Sequence, residues 1–379
     1  MLLREYKKET NNTLISFKDF KETGRWSTKK ANEWYEQQGW ITGCNFIPSN
    51  AVNQLEMWQE ETFDPFTIDK ELSWAASLGF NSVRVFLHSL LWEQDSEALL
   101  RRIDHYLSIA DRYGIKTMFV LFDSVWNPCA EIGRQPEPQL CVHNSGWVQC
   151  PCASVLQDPS KYDTLKGYVQ GVIGRFKNDE RVQVWDLFNE PDNMNLASYN
   201  DTYHVSKGEL AIQLLKKAFK WAREVAPIQP LTAAPWQDAW SNPDTISEID
   251  DYMFNQSDVI TFHCYNTKED MEMRIKKLIE YNRPILCTEY MARPFGNTFE
   301  NILPLLKDYN VGGYNWGLVA GKTQTHFSWD SWLTQYNEEP SLWFHDIFKS
   351  NGEPYDETEV AFIKEMTAKE VEKDYLQVA

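Results

Sequence analysis

The chain predicts an α/β fold, a (β/α)8 TIM barrel with long βα loops. Three observations carry that prediction. Eight short apolar runs alternate with amphipathic helical stripes, the rhythm of a parallel sheet wrapped by helices. Two of the runs end on a carboxylate: Val184-Trp185-Asp186-Leu187-Phe188-Asn189-Glu190-Pro191 and Pro284-Ile285-Leu286-Cys287-Thr288-Glu289-Tyr290. The first run continues as Gly43-Cys44-Asn45-Phe46-Ile47-Pro48, not as the Gly-rich phosphate turn expected of an open doubly wound sheet.

The elements follow in order. Residues 1–38 form an N-terminal extension, and the first run spans 40–46. Runs at 82–87 and 116–122 bracket a helix in which Leu99, Ile103, Leu107 and Ala110 recur at helical spacing, with Gly114 as its stop. Asp158-Pro159 supplies an N-cap and first-turn proline for a helix with Leu165, Val169, Val172 and Phe176 on one face. The fourth run is 182–188. Ser206-Lys207-Gly208-Glu209 reads as a capping box ahead of Leu210, Leu214, Ala218, Trp221 and Val225. Runs at 230–233 and 259–265, a stripe of Met271, Ile275, Leu278 and Ile279, and runs at 284–290 and 312–316 complete the set. The connections 123–158 and 318–340 are long, and long βα loops shape binding sites. Residues 352–379 form a charged C-terminal tail that ends in an exposed helix. The expectation is a single catalytic barrel domain over 1–379.

Composition narrows the partners. The 379 residues are 42% hydrophobic and 24% charged, with 55 acidic against 37 basic side chains and a net charge of −18. That balance disfavours nucleic acid and anionic membrane surfaces, and it leaves an uncharged ligand such as a sugar without penalty. No run approaches the length of a membrane span, so no membrane insertion is expected. The opening residues Met1-Leu2-Leu3-Arg4-Glu5-Tyr6-Lys7 lack an apolar core for a signal peptide. The expectation is a cytoplasmic chain, or a periplasmic or secreted one if a leader precedes it. Of seven cysteines, Cys129, Cys141, Cys150 and Cys152 crowd one segment. Their spacing does not match the close pairs of zinc sites; free thiols and a disulfide both stay open. Cys44, Cys264 and Cys287 fall inside strand runs, where buried thiols are ordinary core. The metalloprotease, nucleophile-elbow and Walker motifs are missing from the sequence. No metal and no cofactor are expected.

The two glutamates carry the chemistry. A carboxylate at the C-terminal end of a barrel strand faces the ligand mouth. Glu190 and Glu289 end the fourth and seventh runs, which face each other across a barrel. Two carboxyl groups flanking one bond are the equipment for cutting a glycosidic linkage. One donates a proton to the leaving oxygen, and the other, ionised, attacks the anomeric carbon.

Asn189-Glu190-Pro191 after a strand resembles the acid/base motif of the clan A glycoside hydrolases, with the best fit to family 5, the cellulase and mannanase family. The resemblance extends over about residues 40–320: Thr288-Glu289-Tyr290 matches the nucleophile strand, Arg84 the arginine of strand two, His263-Cys264-Tyr265 the end of strand six, and Trp316 that of strand eight. It implies a retaining hydrolase of β-glucan, mannan or xylan type, with Glu190 as acid/base and Glu289 as nucleophile. Asn189 would contact the sugar 2-hydroxyl, Tyr265 and Arg84 would hold Glu289 ionised, His263 would bond a sugar or Glu190, and Trp316 would stack under a pyranose. The third run departs from the pattern, with Phe122-Asp123-Ser124-Val125-Trp126 where many relatives show a histidine, and the first lacks Gly-Val-Asn. Asp123, Trp126, His143, Asn144 and Trp147 then become candidates for sugar contacts, with Asn45, His88 and Trp236 at other strand ends. Two other readings stay open: a transglycosylase with the same intermediate, and a carbohydrate-binding barrel without chemistry.

Overall fold

The computed structural model describes residues 24–199, 202–203, 207–236 and 246–368. Eight strands form one sheet in the order β5-β4-β3-β2-β1-β8-β7-β6. They are β1 (Thr42–Asn45), β2 (Ser82–Phe86), β3 (Lys116–Asp123), β4 (Val182–Asn189), β5 (Leu231–Ala234), β6 (Ile260–His263), β7 (Ile285–Tyr290) and β8 (Gly312–Asn315). Every ladder pairing is parallel. The expected (β/α)8 barrel is present, and the ends of each strand lie within two residues of those of its apolar run. Strands β5 and β6 close the ring without a ladder. The Asp258 amide donates to the Leu231 carbonyl at 2.8 Å, and the hydroxyls of Thr232 and Thr261 bond at 2.8 Å. Gly43 permits the tight seam between β1 and β2, since a Cβ there would lie 1.8 Å from the Ser82 carbonyl oxygen.

The strand interiors are buried along nearly their whole length, because helices cover the outer face while side chains fill the barrel. Met118, Val184, Leu286 and Tyr314 form an inner cluster with Tyr35. Tyr35 belongs to the helix Thr28–Gln38. Part of the N-terminal extension therefore plugs the N-terminal end of the barrel and leaves the opposite mouth for a ligand.

Two local expectations change, and a third falls outside the described residues. Asp158 does cap a helix start, but the first turn is 3₁₀, Pro159–Leu165, and the α-helix runs Lys166–Phe176. Ser206 of the capping box lies outside the described residues; the helix there is Lys207–Val225. The tail helix, Glu357–Thr367, is docked rather than exposed: Val360 and Ile363 are buried, and Glu359 pairs with Arg293. All seven cysteines are free thiols. No helix among the described residues is long and apolar enough to cross a membrane.

Candidate active site

Strand register assembles the site at the C-terminal mouth. Asn45 aligns with Arg84, Asp123 with Asn189, and His263 with Glu289. Register shifts occur between Phe262 and His263, Asp186 and Asn189, and Cys287 and Tyr290. Such irregularities re-aim side chains at a barrel rim.

Arg84 is the hub. It is fully buried, and all five of its N–H donors are used. Nε and Nη2 reach Asp186 Oδ2 at 3.1 and 2.8 Å, and Nη2 also reaches Asn189 Oδ1 at 2.6 Å. Nη1 bonds Asn45 Oδ1 and Glu289 Oε1, each at 2.9 Å. The guanidinium thus sits between two buried carboxylates, which hold it charged. Asn45 anchors this hub, donating to the Thr288 and Asn315 carbonyls at 2.8 and 3.3 Å. It lines a small side pocket behind Trp316 rather than the main cleft. Asp186 was not among the expected site residues. Its signal was present: it is the lone charge in the run Val182–Asn189.

Glu289, 5% exposed, accepts from Arg84 on one oxygen and from the Tyr265 hydroxyl on the other at 2.8 Å. Burial pushes its pKa above the ordinary carboxylate range; His263, Arg84 and Tyr265 pull it back, and Glu190 opposes them. Glu190 has no such direct cation. It follows β4 in a left-handed backbone conformation, φ 44°, with its amide donating to the Ala234 carbonyl at 2.8 Å. Its Oε2 accepts from Asn193 Nδ2 at 2.8 Å, and its Oε1 lies 2.7 Å from His263 Nδ1. Burial lifts Glu190 to about 7 against the Asn193 bond and the charges of Arg84 and Lys207. Burial also drops His263 to about 4, so its imidazole is neutral at pH 7. A protonated Glu190 then donates to Nδ1, and Nε2–H faces Glu289 Oε1, 3.6 Å away. One oxygen of each glutamate and a His263 ring nitrogen all lie within 4.8 Å of one another.

A cleft of about 520 Å³ opens above this pair. It is lined by Asp123, Trp126, His143, Asn144, Trp147, Asn189, His263, Tyr265, Trp236 and Trp316 among the expected residues. Asp123 lines it without a free oxygen. Oδ1 accepts from Asn189 Nδ2 (3.0 Å) and the Val125 amide (3.2 Å), while Oδ2 accepts from Trp147 Nε1 (2.7 Å) and Gln54 Nε2 (3.5 Å). Four donors occupy its carboxylate, so Asp123 positions Asn189 and Trp147. Burial raises its pKa to about 6. His143 is likewise held, its Nδ1–H donating to the Phe327 carbonyl at 2.8 Å. His88 does not line the cleft. Its ring caps the helix Ser89–Arg112 by accepting from the Leu90 amide at 3.2 Å, and its other nitrogen donates to the Gln149 carbonyl at 3.0 Å.

Four further residues complete the site. Trp329 lines the cleft from the second long connection and His345 from the segment just after it, and Trp329 stands edge-on to Tyr265 at 5.0 Å. Asn193 holds Glu190. Lys207, fully buried, donates to the carbonyls of Ser124 and Asn193, each at 2.6 Å, and to Gln149 Oε1 at 3.3 Å. Its three donors clip the ends of β3 and β4 together.

No protein-family model matches the chain, and no curated protein matches it by sequence. Solved structures do resemble it. GH5_18 from Streptomyces cattleya, solved with GlcNAc, superposes with a TM-score of 0.58 at 13% identity, over 86% of this chain and 79% of that one. The β-mannanase of the blue mussel Mytilus edulis gives 0.54 at 15% identity, over 81% and 95%. The β-1,4-D-mannanase of Cryptopygus antarcticus gives 0.55 at 10% identity, over 88% and 92%. At these identities the likeness is one of fold: this chain shares the barrel of these family 5 and mannanase structures.

Proposed function

We propose that the chain is a retaining glycoside hydrolase of the family 5 kind that cleaves β-glycosidic bonds by double displacement. One observation carries the reading: an oxygen of Glu190 lies within 4.8 Å of an oxygen of Glu289 at the mouth of the barrel. Retaining enzymes keep their carboxyl groups about 5–5.5 Å apart, whereas inverting ones need about 6.5–9.5 Å for an intervening water. The environments divide the roles. Glu289, bonded by Arg84 and Tyr265, is the anion and attacks the anomeric carbon. Glu190, lifted to about 7, gives its proton to the departing oxygen. The covalent glycosyl ester on Glu289 is then cut by water, whose proton Glu190 takes as the new C–O bond forms and Glu289 leaves. Asn189 keeps one amide N–H for the sugar 2-hydroxyl, since Arg84 and Asp123 occupy its other groups. Trp316 floors the reacting ring. The mannanases among the structural neighbours make β-mannan the first polymer to assay, with β-glucan and xylan beside it.

The test is chemical rescue. Glu289→Ala is expected to fold and lose turnover, and azide should then yield a glycosyl azide of inverted configuration. Glu190→Ala should still cleave substrates with good leaving groups, and azide should give a product of retained configuration. Interchanged patterns reverse the two roles. Undiminished activity in both variants would end the catalytic reading.

A further inference from the structure

We propose that Trp126 floors a second sugar subsite beside the reacting one, with Trp332 as the residue that holds it in place. This rests on the glycosidase reading above and narrows its substrate to chains of neutral, β-linked pyranoses.

The first observation is backbone strain. Trp126 has φ 73°, a region that bulky residues avoid. Such strain persists only where the surroundings over-determine it, and it gathers at functional sites. The surroundings here come from three segments. Asn195 accepts from the Trp126 amide through Oδ1 at 2.9 Å and donates to its carbonyl at 3.4 Å. Trp332 stacks on the indole, with centroids 5.5 Å apart and planes 12° from parallel. Trp332 is itself fixed: its Nε1 donates to the His143 carbonyl at 2.8 Å, and the Tyr199 ring meets it edge-on at 5.6 Å.

The second observation is accessibility. Trp126 stays partly exposed and lines the cleft, whereas Trp332 does not line it. Trp332 therefore backs the platform and Trp126 presents it. An indole face complements a pyranose whose equatorial hydroxyls leave an apolar C–H face. Because the ring is already held, little freedom is lost when sugar docks. Trp126 and Trp316 both pack against the cluster of Phe86, Val120 and Trp147, but their ring partners differ: Trp316 meets Phe86 and Trp147 at 5.9 Å each, whereas Trp126 stacks on Trp332. The subsite is built jointly by the two long connections, 123–158 and 318–340.

The experiment measures affinity against chain length. Calorimetric titration of Glu190→Gln, which blocks turnover, uses cello- and manno-oligosaccharides of increasing length from the disaccharide upward. Affinity is expected to rise about tenfold or more as the second subsite fills. Trp126→Gly in that background should abolish the rise, Trp332→Ala should reduce it several-fold, and Trp332→Phe should keep most of it. Glycine accepts the positive φ, so Trp126→Gly should keep the loop backbone and bind worse, whatever the lost stack on Trp332 does to its melting temperature. Loss of a purely structural tryptophan would lower the melting temperature and leave the rise intact. An intact rise in Trp126→Gly overturns the inference. Active enzyme with length-independent affinity also overturns it and leaves the glycosidase reading standing. Neither binding nor cleavage of either series removes both.

Discussion

At the scale of single residues, the site separates two carboxyls by what touches them. Glu289 meets a guanidinium and a phenol; Glu190 meets a neutral imidazole and an amide. The consequence for pH has a definite sign. As the acid of the proposed mechanism, Glu190 has to carry its proton when the bond breaks, so kcat/KM should fall as pH rises through about 7. The Asn193 bond favours the ionised form. Asn193→Ala should therefore move that basic limb to higher pH, and a shift to lower pH would contradict the assignment. Stability obeys the same linkage. The folded pKa of about 7 lies above the unfolded value, so the fold holds an extra proton between about 4.3 and 7 and loses stability as pH rises through that window. Glu190→Gln escapes this loss. Its stability relative to wild type should grow by about 3 kcal/mol from pH 4 to pH 8, measured by denaturant titration at each pH. Arg84 is the opposite case, a buried cation that two buried carboxylates require. Arg84→Met should cost about 3–5 kcal/mol because Asp186 and Glu289 are left uncompensated. A loss under 1 kcal/mol would mean that water reaches the pair.

At the scale of elements, legibility follows periodicity. Strands buried on both faces read as unbroken apolar runs, so all eight were visible, and a carboxylate at the end of such a run marks the mouth. Asp186 is legible by the same logic only in part, because it sits inside its run rather than at the end. The connections are another matter. Nothing periodic in 123–158 or 318–340 reveals that His143 and Trp332 bond each other, or that Trp126 and Trp332 stack. Lys207 was read as part of a helix start, and only the fold turns its ammonium inward. The tail misled through its charge: Val360 and Ile363, three residues apart, were the quiet sign of a docked face. That docking yields a prediction. Arg293, just past β7, reaches both oxygens of Glu359 and the carbonyls of Trp343, His345 and Asp346. Glu359→Ala leaves that buried cation without its carboxylate and should cost about 3–5 kcal/mol in chemical denaturation. Because Arg293 also grips the segment carrying His345, KM should rise with it. Unchanged stability would show that the tail helix contributes nothing to the barrel.

At the scale of the whole molecule, charge selects among polymers that share a backbone. The chain carries −18, and the cleft presents Asp123, Glu190 and Glu289 against one cation among the described lining residues, Arg274, while Arg84 beneath it is consumed by its own partners. A neutral glucan or mannan feels none of this field. A carboxylated polymer is repelled on approach and again at the mouth, where low-dielectric walls focus the potential. The long-range part of that repulsion is screened over about 8 Å at physiological ionic strength. Carboxymethyl-glucan should therefore be cleaved more slowly than its neutral parent at low salt, and added salt should narrow the gap. The rate on the neutral polymer should stay nearly flat over the same range. Initial rates on both polymers across a salt series check this. If the carboxylated substrate were favoured at low salt, cations at the cleft, Arg274 among them, would have to outweigh the net charge of the chain.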